Sequence, residues 1–145
     1  MQDFKNIEHR LEHVINVHGI EFINDSKATN VNSVWFALES MYKKIIWIVG
    51  GVDKGNDYSE LLELVDEKVK AIVCIGQNTD NIHKSFKDHV NNIVDANSMN
   101  EAVGFSYQLA EKGDVVLLSP ACASFDMFSN FEHRGTEFKK SVRSL

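Results

Sequence analysis

The sequence predicts an α/β fold: a Rossmann-like open sheet, mostly parallel, with helices on both faces and an antiparallel hairpin at the N-terminal edge. Three observations carry that prediction. Residues 45–49, 71–75 and 115–118 are continuous apolar runs of strand length, as expected for strands covered on both faces. Between them, apolar residues recur at three- and four-residue steps, the helical period. Helix-start signals of the Ser/Asp…Glu type stand just ahead of several of those segments.

The elements follow in order. Residues 11–17 and 20–23 are apolar-rich segments around His18-Gly19, a hairpin turn in which glycine accepts a positive φ. Val31, Val34, Trp35, Leu38 and Tyr42 fall on one helical face, with Thr29 or Asn30 as the cap. The run at 45–49 leads through Gly50-Gly51 to a helix capped at Asp57 with Glu60 completing a capping box, its apolar face formed by Leu61, Leu62, Val65 and Val69. After 71–75 a shorter helix from about Thr79 carries Ile82 and Phe86, and a brief strand at 92–94 ends at Asp95. Ser98 with Glu101 opens a helix bearing Ala102, Phe105 and Leu109. Ser129 with Glu132 caps the last, with Phe131, Phe138 and Val142 on its apolar side.

Composition narrows the class. At 145 residues the chain fits one domain, 1–145, and 43% hydrophobic residues with a single proline exclude a disordered chain. No apolar window approaches bilayer length, and Met1-Gln2-Asp3-Phe4-Lys5 lacks a signal-peptide core, so a soluble cytosolic chain without a membrane partner is expected. A net charge of −6 without a basic cluster argues against nucleic acid. Cys74 and Cys122 show neither pairing nor metal spacing, and the six histidines form no HxH or HExxH pattern, so no metal site is expected.

In a parallel sheet, ligands collect beyond the carboxyl ends of the strands. There the chain places Asn24-Asp25-Ser26-Lys27-Ala28-Thr29-Asn30, Gly50-Gly51-Val52-Asp53-Lys54-Gly55 and Ser119-Pro120-Ala121-Cys122-Ala123-Ser124. The glycine loop fails as a P-loop because Asn56 follows Gly55, and no GxGxxG is present. Ser124 lacks a nucleophile-elbow context. Two lysines in strand-end loops favour an anionic ligand. Spacing alone does not order the strands, so the convergence of these loops is an expectation from fold class.

NDSKATN at 24–30, GGVDKG at 50–55 and LSPACASFDMFSNFEHRG at 118–135 resemble the C-terminal domain of the Mur ligases, in the D-glutamate-adding branch. His9-Arg10 resembles that family's hinge-proximal pair. The resemblance spans essentially the whole chain and is most specific in its last block. It implies a cytoplasmic step of peptidoglycan synthesis in which ATP, with Mg2+, phosphorylates the terminal carboxylate of UDP-N-acetylmuramoyl-L-alanine and D-glutamate attacks the acyl phosphate. It further implies that Arg10 and Asp25 contact nucleotide and that Lys27 faces the reacting centre as the catalytic residue. Thr29, Lys54, Ser124, Phe125 and Phe131 would hold D-glutamate. The P-loop, the magnesium-holding lysine and the uridine-binding domain have no counterpart here, so the N-terminal and central domains are expected partners, ATP and Mg2+ being bound mainly by the latter. The chain alone is expected to be a monomeric, inactive fragment. The alternative is a stand-alone α/β small-anion-binding or regulatory module, for which Asp95 is a thin basis.

Overall fold

The computed structural model describes residues 7–145; the opening segment Met1-Gln2-Asp3-Phe4-Lys5 lies outside the described residues. Six strands form one sheet: β1 (Glu12–Val17), β2 (Ile20–Asn24), β3 (Ile45–Gly50), β4 (Val69–Ile75), β5 (Asn92–Asp95) and β6 (Val115–Leu118). Their order across the sheet is β1-β2-β6-β3-β4-β5, with β1 antiparallel to β2 and every other pair parallel. Five helices cover it: α1 (Val31–Glu39), α2 (Leu62–Lys68), α3 (Asp80–Phe86), α4 (Met99–Leu109) and α5 (Phe131–Arg143).

The period-two alternation of strand side chains divides the core in two. Ile45, Trp47, Val49, Val115 and Leu117 join α1, α2 and α3 on one face. Ile46, Ile48, Val116 and Leu118 join α4 and α5 on the other. This is the doubly covered sheet that the apolar runs imply. The edge hairpin turns at His18 (φ 52°) and Gly19 (φ 84°), the paired positive angles of a two-residue turn matched to strand twist.

Several boundaries differ from expectation, each for a local reason. Helix α1 is capped by Asn30, whose side chain accepts from Ser33 N–H at 2.8 Å, and it stops at Glu39, leaving Tyr42 fully exposed instead of on the helical face. The Lys68 ammonium ends it by donating to the carbonyls of Leu38, Glu39 and Met41 at 3.0, 3.0 and 2.7 Å. Val69 begins β4 and does not belong to the helix before it. Asp57 makes no capping box: its Oδ1 accepts from Ser59 N–H, and one 3-10 turn (Ser59–Leu61) precedes α2. Ser98 does cap α4, accepting from Glu101 N–H at 3.0 Å, while the Glu101 carboxylate returns to Asn97 N–H. The cap of α5 is Asn130 rather than Ser129; its side chain accepts from His133 N–H at 2.7 Å. Among the described residues no helix is long and apolar enough to cross a membrane.

Candidate functional site

Strand order answers the question that spacing left open. β6 lies between β2 and β3, so the loops following these three strands are neighbours at the carboxyl edge. They are also laced together through backbone. Asp25 N–H donates to Leu118 O at 2.8 Å and Ala121 N–H to Ala28 O at 2.9 Å. On the other side Gly50 N–H donates to Pro120 O at 2.9 Å and Val52 N–H to Ala123 O at 2.8 Å. Gly50 and Gly51 are required by this close passage. Both have positive φ (129° and 144°), and a Cβ would lie 1.9 Å from Ile75 O and 2.2 Å from Ala123 O respectively.

Arg10, Asp25, Lys27 and Phe36 line one cleft of about 220 Å³ beside the start of α1. Asp25 is buried; its Oδ1 accepts from Leu11 N–H at 3.1 Å and its Oδ2 from the Ser119 hydroxyl at 2.9 Å. Burial pushes its carboxyl up to about 6, against the opposing pull of Ser119, Leu11 and the Arg10 charge. Lys27 is exposed, but its backbone is fixed by donation to His9 O at 2.9 Å. His9 itself is buried, with Nδ1 2.9 Å from Asn24 Nδ2, and it fits because Gly135 has no side chain: a Cβ there would sit 2.1 Å from that nitrogen.

The remaining sequence-predicted residues lie outside that cleft. Thr29 and Lys54 are exposed, Ser124 is buried, and Phe125 is largely exposed at 73%. Phe131 is half-buried, edge-on to His9 with centroids 6.1 Å apart, and its carbonyl accepts from the Ser26 hydroxyl at 2.6 Å. Among the described residues Arg10, Lys27 and Lys54 take part in no ion pair. Among the described residues Lys27 and Lys54 thus have no ion-pair partner, and Arg10 shares its charge only with the buried Asp25, so the edge is cationic and favours an anionic ligand.

Two residues of the quoted motifs, for which the sequence gives no role, turn out to be supporting ones. Arg134 is fully buried on α5 and donates through Nε to Ser26 Oγ (2.9 Å), through Nη2 to Ser26 O (2.7 Å) and through Nη1 to Cys122 O (2.9 Å). It therefore ties the loop carrying Lys27 to the loop carrying Ser124, and burial lowers its guanidinium to about 10. Asp53 gathers the lysine loop. Its Oδ1 accepts from Gly55 and Asn56 N–H, its Oδ2 from the Tyr58 hydroxyl at 2.8 Å and Asn81 Nδ2 at 3.0 Å. Burial works to raise that carboxyl, but the four donors hold it below the usual aspartate value. The signal for Asp53 was present as an Asp two residues before a glycine; Arg134 stood within the block 118–135, but nothing local gave its role.

A mostly parallel open sheet with three laced loops along its carboxyl edge defines an α/β domain of the open-sheet class, in which ligands collect at that edge. The chain belongs to the Mur ligase family: the family described as "Mur ligase, glutamate ligase domain" matches residues 9–122. Over 145 residues the chain is 55% identical to a UDP-N-acetylmuramoylalanine--D-glutamate ligase of Christiangramia forsetii and 54% identical to that of Porphyromonas gingivalis. Each match covers 100% of this chain but 33% and 32% of those proteins, so the chain spans about a third of the length of the curated relatives it matches. Solved structures agree in fold. MurF from Acinetobacter baumannii superposes with a TM-score of 0.64 at 18% identity, covering 94% of this chain and 31% of that one. A crystallised domain from a ligase of Haemophilus ducreyi superposes with a TM-score of 0.62 at 15% identity, covering 93% of this chain and 98% of that chain.

Proposed function

We propose that residues 1–145 form a single domain that supplies the amino-acid half of the active site of a D-glutamate-adding ligase of peptidoglycan synthesis. The observation that carries this reading is the adjacency of the loops after β2, β6 and β3, which sets Lys27, Ser124 and Lys54 along one edge. Its identity to D-glutamate ligases over the full chain supports the substrate.

In this reading D-glutamate, a dicarboxylate, is held by the Lys54 ammonium, by the Thr29 and Ser124 hydroxyls and by backbone and aromatic surface at Phe125 and Phe131. Arg10 and Asp25 face the nucleotide, Arg10 toward the phosphates and Asp25 as an acceptor for ribose hydroxyls. Lys27 faces the reacting carboxyl group and offsets the negative charge that develops there. ATP supplies the phosphoryl group that makes the terminal carboxylate of UDP-N-acetylmuramoyl-L-alanine reactive toward the amine. The cleft fits a nucleotide: it offers two cations, Arg10 and Lys27, and one carboxylate acceptor, Asp25. It does not fit Mg2+ on its own, because Asp25 is the one carboxylate in its lining and the ion needs about six oxygen ligands, one or two of them carboxylate. Metal and most phosphate contacts are therefore assigned to a central domain, and the uridine contacts to an N-terminal one, in a monomeric cytoplasmic enzyme. The domain's own contribution is orientation of the amine against the activated carboxyl.

The test joins this chain to the upstream two-thirds of a relative and follows phosphate release with ATP and UDP-N-acetylmuramoyl-L-alanine. Release that requires D-glutamate, and that falls at least a hundredfold with Lys27→Met, supports the reading. Release that requires a different amino acid would overturn it.

A further inference from the structure

A second group of side chains lies away from the three loops, at the β4–β5 side of the sheet. Cys74 and Asp95 are Cα partners across that parallel pair, so both side chains leave the sheet on the same face, the one covered by α1, α2 and α3. His83 projects from α3, the helix that connects these strands. Its Nε2 lies 2.9 Å from Asp95 Oδ1, and the Thr79 hydroxyl donates to the same oxygen at 2.9 Å. The Cys74 sulfur, a His83 ring nitrogen and an Asp95 oxygen all fall within 4.8 Å of one another.

We propose that Cys74, His83 and Asp95 form a binding site for one divalent cation of the zinc class. The donor types decide the class. A thiolate with an imidazole selects zinc, cobalt or cadmium over magnesium or calcium, which take oxygen donors. Tetrahedral zinc, with bonds of about 2.0–2.3 Å, sets its ligand atoms about 3–4 Å apart, so the Cys74 sulfur needs to close by no more than about 1 Å while the His83–Asp95 pair, at 2.9 Å, opens slightly. Fixed strand register holds two of the ligands, and Thr79 orients the carboxylate from outside. The Cys74 side is closed, whereas His83 and Asp95 are partly exposed at 39% and 56% of their side chains, which leaves the fourth position to water. On binding, the cation replaces the thiol proton of Cys74, which leaves to solvent; the Nε2 proton that bonds Asp95 passes through solvent to Nδ1, and the freed Nε2 lone pair binds the cation in place of that hydrogen bond. The spacing 74–83–95 matches no sequence pattern for zinc; the site exists only because β4 and β5 pair in this register.

The experiment titrates the chelator-treated 145-residue chain with Co2+ under reducing conditions. The expected result is a sulfur-to-cobalt charge-transfer band with the visible bands of tetrahedral cobalt, saturating at one equivalent and bleached by Zn2+. Cys74→Ala and His83→Gln should each abolish the charge-transfer band or weaken binding at least tenfold. Asp95→Asn, at an exposed position that leaves the core untouched, should weaken it tenfold with unchanged circular dichroism. His9→Gln, in the separate Glu8-His9-Glu12 group, should change nothing. Absence of the charge-transfer band, saturation only at millimolar cobalt, or a band that survives Cys74→Ala would overturn the proposal.

Discussion

Asp25 accepts two hydrogen bonds and still has its carboxyl pushed up to about 6, because burial opposes the charge more strongly than Leu11, Ser119 and Arg10 favour it. The folded state therefore binds the proton more tightly than the unfolded chain does. Stability from this group is present below about pH 4 and is lost as pH rises toward 6, by up to about 3 kcal/mol. Asp25→Asn removes the titration and keeps both contacts, its oxygen accepting from Leu11 N–H and its amide donating to Ser119 Oγ. Thermal unfolding of the variant should match the parent near pH 4 and exceed it at pH 7; parallel curves across that range would contradict the prediction. Arg134 carries the opposite lesson. Replacing it with methionine leaves Ser26 O, Ser26 Oγ and Cys122 O without their donor in the interior, at a cost of about 3 kcal/mol or more in urea unfolding. An effect under 1 kcal/mol would show that the guanidinium is dispensable. The Asp25 and Lys27 positions could be read from the sequence because strand-end polar residues stand out. Arg134 stood in the block 118–135, but its role could not be read, since its partners in the loop of Ser26 lie 108 residues away and two of its three acceptors are backbone carbonyls.

At the scale of elements, strands were legible and helix ends only in part: Asn30 and Ser98 cap α1 and α4 as their types suggest, whereas other ends did not follow the pattern. Runs such as 45–49 and 115–118 announce buried strands by composition alone, and their interiors match the observed β3 and β6. The ends depend on competing groups of similar chemistry. Asn130 outcompetes Ser129 as the cap of α5, and Val69 serves a strand although its spacing also suits the preceding helix. The end of α1 is set from outside, by Lys68 on α2, and no pattern within residues 31–42 encodes it. Lys68→Met should therefore cost about 1 kcal/mol and speed amide hydrogen exchange around residues 38–41. Unchanged exchange there would mean that Ser40 and Met41 close the helix by themselves.

For the whole molecule, strand order was the missing information. Nothing local says that β6 inserts between β2 and β3, yet that insertion makes one edge out of three loops separated by up to about ninety residues. Gly50 and Gly51 could be recognised as a turn; only the fold reveals that Gly50 lets it pass the end of β4 at Ile75 and Gly51 the loop of Ala123. The same edge carries half of the groups that the proposed reaction needs. The chain alone, given ATP, D-glutamate and UDP-N-acetylmuramoyl-L-alanine, should release no phosphate above background, and release at the rate of a full-length relative would contradict that division. The most direct test of the edge itself is an NMR titration of the 145-residue chain with D-glutamate in the tens of millimolar range. Amide shifts should concentrate at residues 27–30, 52–55 and 122–125 and be smaller with L-glutamate. Shifts confined to other surfaces, or equal for the two enantiomers, would contradict it.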